Sequence, residues 1–203
     1  MFRSARPDAR TIAGYAYGDA SLPRSPVSLE DLELLKTTLL FGADDVRALR
    51  QAHEVVKDQI EDILDVWYGF VASHPHLAVY FSRKDAGDLD PQYLARVRGR
   101  FAQWILDTTA ADFDQRWLDY QQEIGRRHHR PGKNQTDGAH SVDHVHFRYI
   151  VAFVIPISAT MEPFLARRGH SPEQVRQMQW AWTKAVLLTA ILWTRPYVAE
   201  GSF

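Results

Sequence analysis

From Ser28 to the C-terminus the apolar residues return every three or four positions, and no stretch sustains apolar–polar alternation in steps of two. A spacing of three to four places side chains on one face of a helix, whereas a spacing of two would place them on one face of a strand. The chain therefore reads as all-α, with seven or eight helices and no strand. Ser28-Leu-Glu-Asp31 has the form of a capping box, with Asp where Glu or Gln is usual, and starts a short helix over 29–40 that Gly42 breaks. Asp44 opens a long pattern to about Ser73, bending or dividing near Ala52, with a stripe of Val56, Ile60, Ile63, Trp67, Phe70 and Val71. Ser73-His-Pro-His76 ends it, because proline cannot donate an i to i−4 bond. A short helix over 76–81 and a polar loop over 82–90 follow. Pro91 starts the next helix at the first-turn position that proline favours, with a stripe of Leu94, Val97, Phe101, Trp104 and Ile105. A helical stretch over 111–130 and a polar loop over 131–143 lead to two long patterns, 144–168 and 172–198. Gly169 ends the first, Ser171-Pro172 starts the second, and Pro156 and Pro163 are expected to kink the first.

Residues 1–27, rich in Gly, Pro, Ser and Arg, read as an extended arm with Tyr15 and Tyr17 placed to pin it down. That leaves 28–203 as one helical domain, a size at which a single chain buries a substantial core. The net charge of −1 gives no reason to expect a nucleic acid or an anionic membrane as partner. The absence of cysteine removes disulfides, iron–sulfur clusters, thiolate-ligated haem and cysteine nucleophiles together, and fits a cytoplasmic protein. The N-terminus has no apolar segment of the kind a signal peptide needs. The longest charge-free apolar run, Tyr149 to Met161, is thirteen residues and is broken by Pro156, so no membrane insertion is expected.

Chemistry enters with the stretch FDQRWLDYQQEIGRRHHR over 113–130. Trp117, Tyr120, Ile124 and His128 are spaced by three, four and four residues, an aromatic and apolar face that ends in an imidazole. Such an imidazole can bind a metal, and apolar surroundings suit a large flat cofactor such as haem. The alternative at this point is a core histidine bonded to a backbone carbonyl. His129 lies about 100° further round, on a less apolar line, so His128 is the candidate ligand. Gly125 allows a macrocycle or another helix to approach the backbone closely. Arg126, Arg127 and Arg130 complement the helix dipole; they either face haem propionates or form a solvated basic face. In Asp65-Val-Trp-Tyr-Gly-Phe70, Tyr68 can donate a hydrogen bond into a pocket and stabilise the partial negative charge of a diatomic ligand, an effect of roughly 1–3 kcal/mol. Trp67, Tyr68 and Phe101 can equally be plain core aromatics. His140, His144 and His146 have a spacing open to zinc but no supporting Cys or carboxylate pattern, and His74 and His76 read as turn residues. The chain contains no HExxH, P-loop, GxGxxG or GxSxG motif.

Several stretches together resemble the protoglobins, single-domain haem proteins related to globin-coupled sensor domains. They are Ile12-Ala-Gly-Tyr-Ala-Tyr-Gly18, Trp67-Tyr-Gly-Phe70, His74-Pro-His-Leu77, Trp104-Ile-Leu-Asp-Thr108, Trp117-Leu-Asp-Tyr-Gln121, Glu123-Ile-Gly-Arg-Arg-His-His129 and Ser158-Ala-Thr-Met-Glu-Pro-Phe-Leu-Ala-Arg167. The resemblance implies a globin fold with an N-terminal extension and an extra helix before the first globin helix. It implies haem b with His128 on the iron, and a pocket built from Trp67, Tyr68, Phe101, Ile150 and Phe153; the stripe residues Val97 and Ile105 are expected to contribute to it. It also implies O2, CO or NO as ligands at a five-coordinate iron, in a gas sensor or carrier, and a homodimer formed mainly by the last two long helices. Ile155 departs from the tyrosine expected before Pro156 in archaeal relatives and bears on ligand access. Without a methyl-accepting, cyclase or kinase module after Phe203, a sensor role implies a separate output protein. Two other classes stay open from the residues alone: a haem enzyme acting on O2, NO, nitrite or peroxide, and a cofactor-free helical interaction module.

Overall fold

In the computed structural model the described residues are 12–130 and 132–203, and among them nine α-helices and a few short 3-10 turns carry the fold. Residues 1–11 of the expected arm over 1–27, and the first residue of the 131–143 loop, Pro131, lie outside the described residues. No strand occurs among the described residues; an isolated antiparallel bridge between Ser82 and Leu89 closes the polar loop over 82–90.

Helix α1, Leu29–Thr38, starts at Ser28, whose hydroxyl accepts from the Asp31 N–H at 3.0 Å while the Asp31 carboxylate accepts from the Ser28 N–H at 3.2 Å. It ends two residues before the expected position. Leu40 takes a left-handed φ of 53°, and the Phe41 N–H turns back to the Lys36 carbonyl at 2.8 Å, closing the helix end. The long pattern from 44 to 73 divides into α2, Ala43–Val56, and α3, Ile60–Ala72. The break falls at 57–59 and not at Ala52. There the Gln59 side chain donates to the carbonyls of Val55 at 2.8 Å and Phe164 at 3.2 Å, so a carbonyl freed by the break has a partner. Helix α4, Pro75–Ala78, is a single turn running into a 3-10 turn at Val79–Phe81.

Helix α5, Pro91–Ala110, begins where proline was expected, with the Asp90 carboxylate accepting from the N–H groups of Gln92 and Tyr93. Helix α6, Gln115–His128, is capped in the same way by Asp114. The pattern over 144–168 starts at Phe147 and divides into α7, Phe147–Ala152, and α8, Val154–Leu165. Pro156 has no N–H for the Ala152 carbonyl, and the helix parts one turn earlier, at Phe153, while Pro163 stays inside α8. Taken through that break, Phe147–Arg168 is 22 residues with an 18-residue window of mean hydropathy 1.6, long and apolar enough to cross a membrane by length and composition, which the thirteen-residue charge-free run did not suggest. Helix α9, Pro172–Thr194, opens with a capping box between Ser171 and Gln174 and ends in a 3-10 turn at Arg195–Tyr197.

Helix α9 organises the core. It packs against α2, α6, α7 and α8, and its Met178, Ala181, Trp182, Ala185 and Leu188 are fully enclosed. Gly125 of α6 sets the closest crossing: a Cβ there would stand 3.1 Å from the Cα and 3.2 Å from the carbonyl oxygen of Trp193. It is another helix, then, that the glycine admits. Before α1, the chain is tied to α5 and α6. The Tyr15 hydroxyl donates to Asp107 at 2.7 Å, the rings of Tyr15 and Tyr17 meet Tyr120 edge-on at 5.3 and 5.9 Å, and the Ser25 N–H donates to Asp119 at 2.7 Å.

Candidate cofactor pocket

The helices enclose a cavity of about 1370 Å³ of atom-free space, its open mouth included. Helix α3 lines it with Trp67, Tyr68 and Val71; α5 with Tyr93, Val97, Arg100, Phe101 and Trp104; α6 with Tyr120, Ile124, Arg127 and His128. Ile150 of α7, Phe153, Val154 and Ile157 form a further wall, and α9 adds Val186, Thr189, Ala190 and Trp193. Tyr68, Phe101 and Phe153 are large aromatics that remain only half-buried within a helical core, because they look onto this space.

His128 is held by both its chemistry and its neighbours. Its Nδ1 lies 2.8 Å from the carbonyl oxygen of Ile124, one turn earlier. A carbonyl only accepts, so Nδ1 carries the proton and Nε2 is left with a lone pair. Burial holds the imidazolium down to about 4, so the ring is neutral at ordinary pH. The indole of Trp193 stacks on the imidazole, with centroids 4.8 Å apart and planes 21° from parallel. Trp193 is itself fixed by donating from Nε1 to Gln121 Oε1 at 2.9 Å. A neutral imidazole whose inner nitrogen is tied to a carbonyl is the arrangement metal-ligating histidines adopt, because that bond sets the tautomer and the ring orientation.

On α3, the Trp67 ring packs against Phe153 at 5.1 Å and Phe101 at 5.8 Å, and Tyr68 stands edge-on to Phe81 and Phe101 at 6.0 and 6.4 Å. The Tyr68 hydroxyl has no hydrogen-bond partner among the described residues, and burial raises its pKa well above that of a free tyrosine, so it stays a donor. One end of the cavity is polar. There Arg100 pairs with both carboxylate oxygens of Asp137, at 3.0 and 2.5 Å, and Gly132, Lys133, Asn134 and Thr136 line the wall.

The structure brings His128, Trp67, Tyr68, Val97, Phe101, Ile150 and Phe153 to one cavity. It does not bring Ile105, which is buried in the main core one residue, or about 100°, beyond Trp104. His129 sits outside, edge-on to Tyr197 at 4.5 Å. The rings of His144 and His146 are 4.8 Å apart, but His140 is bonded to Asp85, and among the described residues no group of three or more His, Asp or Glu side chains is placed to hold a metal. Arg126 is exposed and pairs with Glu123; Arg127 does line the cavity but is also engaged by Glu123, at 2.8 Å.

A cavity whose walls are aromatic and aliphatic, which offers one neutral imidazole nitrogen and turns polar and cationic at one end, fits a flat, largely apolar metal chelate bearing carboxylates. The comparisons agree. Over residues 28–203 the sequence matches the protoglobin family. The chain is a protoglobin. The globin domain of the Geobacter sulfurreducens globin-coupled sensor superposes on it with a TM-score of 0.63, covering 82% of this chain and 97% of that one at 17% identity, a likeness of fold. No curated protein matches. As a protoglobin with an all-helical globin fold, the chain is a haem-binding globin.

The residues that sequence reasoning missed in this protoglobin are Trp193, Tyr93, Arg100, Lys133 and Asp137. Trp193 closes the apolar pattern of α9 and carries no mark that sets it apart from the core tryptophans Trp104 and Trp182. Lys133 and Asp137 stand in a stretch whose composition reads as solvent-exposed loop. That loop is a built wall: the Asn134 side chain donates to the carbonyls of Ser141 at 2.9 Å and Val142 at 3.3 Å, and Gly132 lies so close to α6 that a Cβ would stand 2.2 Å from the Arg126 carbonyl oxygen.

Proposed function

We propose that this protoglobin holds haem b through the Nε2 of His128 and binds O2, CO or NO reversibly, as a gas sensor or carrier. The observation that carries the reading is the locked His128 ring: Nδ1 bonded to Ile124, one face covered by Trp193, and Nε2 the free nitrogen on the cavity wall. The haem supplies an iron with one coordination position open to a diatomic molecule. The chain does the rest. His128 fixes the iron's position, the aromatic walls exclude water, and Trp67 and Phe101 limit the room beside the ligand. The Tyr68 hydroxyl would donate a hydrogen bond to the ligand's partial negative charge and keep its proton.

The test is the absorption spectrum of the recombinant protein, oxidised, reduced and reduced with CO, for the wild type and for His128→Ala. A haem spectrum in the wild type with loss of stable haem in the variant supports the proposal. Equal haem content and identical spectra in the two refute it.

We further propose a homodimer in the cytoplasm, with no nucleic acid and no membrane insertion. Helices α8 and α9 leave Ile155 70% and Trp180 62% exposed, surface that a second copy would cover. The other side of α8, through Met161, Phe164 and Leu165, is buried in the core. Sedimentation of the purified protein checks the dimer.

A further inference from the structure

Lys133 is buried to 6% exposure, and among the described residues it is the one charged side chain in the buried set. Its ammonium donates to the Tyr80 carbonyl at 3.3 Å, the Tyr93 hydroxyl at 3.2 Å and Asn134 Oδ1 at 3.0 Å, and it lies over the Tyr93 ring at 5.1 Å from the centroid. Every one of these partners is neutral, and among the described residues no carboxylate is within ion-pair distance. The other cations at this end of the cavity are compensated. Arg100 is doubly bonded to Asp137 and donates to the Ala13 carbonyl at 2.7 Å; Arg127 is bonded to Glu123 and donates to the Gly14 carbonyl at 2.6 Å. Arg127 shares Glu123 with Arg126, and Lys133 is the cation of the wall that no carboxylate pairs with among the described residues.

A buried charge is strongly disfavoured unless an opposite charge accompanies it. Burial lowers the lysine pKa only to about 8, so the group is still mainly protonated at neutral pH. Three neutral acceptors take its three N–H groups without cancelling its charge, so a carboxylate bound there displaces one of them. Among the described residues no carboxylate is bonded to the ammonium; Asp137, held by Arg100, and Asp143 act on it only at longer range, and Lys133 lines a cavity shaped for a ligand.

We propose that Lys133 is the binding site for a carboxylate carried by the cavity's occupant. Resting on the haem reading, that carboxylate is a propionate. The compensated Arg100–Asp137 pair then acts as a fixed polar boundary, and the specific cation for the propionate is the lysine of the loop and not one of the arginines that follow Gly125.

The experiment measures release of ferric haem to an excess of a haem-scavenging apoglobin. It uses wild type, Lys133→Met and Lys133→Arg, each loaded with iron protoporphyrin IX or with its dimethyl ester. A charge-assisted bond at a buried site makes release from Lys133→Met roughly ten- to hundred-fold faster for the diacid, with Lys133→Arg within a few-fold of wild type. The wild type releases the ester faster than the diacid, and Lys133→Met narrows that gap. Equal diacid release from wild type and Lys133→Met, or an unchanged diacid-to-ester ratio in a Lys133→Met protein with wild-type circular dichroism, overturns the inference and leaves the haem reading standing. If Lys133→Met does not fold, the wild-type ratio decides: equal release of diacid and ester overturns the inference. A wild type that takes up neither porphyrin overturns the haem reading and this inference with it.

Discussion

Two glycines in helices, Gly69 and Gly125, have opposite surroundings, and replacing each with alanine separates packing from backbone propensity. Both lie inside α-helices, where alanine is favoured over glycine by about 0.5–1 kcal/mol because the unfolded chain has less freedom to lose. Around Gly69 a Cβ would meet nothing within 4 Å, so Gly69→Ala should stabilise by about that amount. At Gly125 the same Cβ would stand 3.1 Å from the Cα and 3.2 Å from the oxygen of Trp193. Ordinary carbon contacts are about 3.5–4.0 Å, and both obstructing atoms are backbone, so α6 and α9 have to separate by a few tenths of an ångström. Overpacking of this kind costs about 1–3 kcal/mol, which the propensity gain of about 1 kcal/mol offsets only in part. The two variants should therefore differ by about 1–3 kcal/mol, or some 2–10 °C in melting temperature for a chain of this length. Thermal unfolding followed by circular dichroism at matched haem occupancy measures it, since unequal haem loading would itself shift the transition. The same displacement moves Trp193 relative to His128, so Gly125→Ala should also alter the haem absorption spectrum while Gly69→Ala leaves it alone. If Gly125→Ala melts at or above Gly69→Ala with an unchanged spectrum, the close α6–α9 crossing is not what positions the histidine.

Tyr68→Phe should speed O2 dissociation roughly ten- to hundred-fold and CO dissociation much less, because CO carries less negative charge; flash photolysis and stopped-flow measure both, and equal small effects count against Tyr68 as donor. Burial depresses the folded-state pKa of His128 to about 4 against 6.5 for a free ring, so between those values the unfolded chain binds more protons. Stability carried by the neutral ring is complete above pH 6.5 and lost as pH falls toward 4, about 2 kcal/mol of it by pH 5; urea unfolding of the haem-free protein at pH 7 and pH 5 should show this loss for wild type and not for His128→Gln. Tyr15→Phe removes a donor to the buried Asp107 carboxyl, whose pKa burial already raises, and should expose the segment before α1: trypsin cleavage at Arg24 quickens roughly ten-fold, and an unchanged rate would show that the ring contacts with Tyr120 suffice.

Helix identity was legible because it depends on local spacing. The Ser28 and Ser171 caps and the starts at Pro91 and Pro172 follow from groups within three or four residues of each other. The α2–α3 boundary depends on a distant partner. The α2–α3 break is braced by a bond from Gln59 to Phe164, and nothing within residues 44–73 announces Phe164. His128 was legible as a candidate for the same local reason: the carbonyl that orders it belongs to Ile124 on the same stripe, so one helix face encodes both the proposed ligand and the bond that orients it.

The polar end of the cavity was not legible, and the cause is physical. Charge in a loop looks solvated unless one knows what covers it, and here the cover is assembled from the 3-10 turn at Val79–Phe81, α5 and the segment before α1. The arginines after Gly125 drew attention because they cluster in sequence, yet clustering brought them within reach of Glu123, which engages Arg126 and Arg127 alike. Among the described residues Lys133 is ion-paired to no carboxylate, and Asp137 and Asp143 act on it only at longer range. A cation's availability to a ligand depends on the anions around it, and those neighbours are set by the fold and not by residue spacing. The residue least conspicuous in the sequence is thus the one left with charge to offer, and haem release from Lys133→Met measures whether that charge is used.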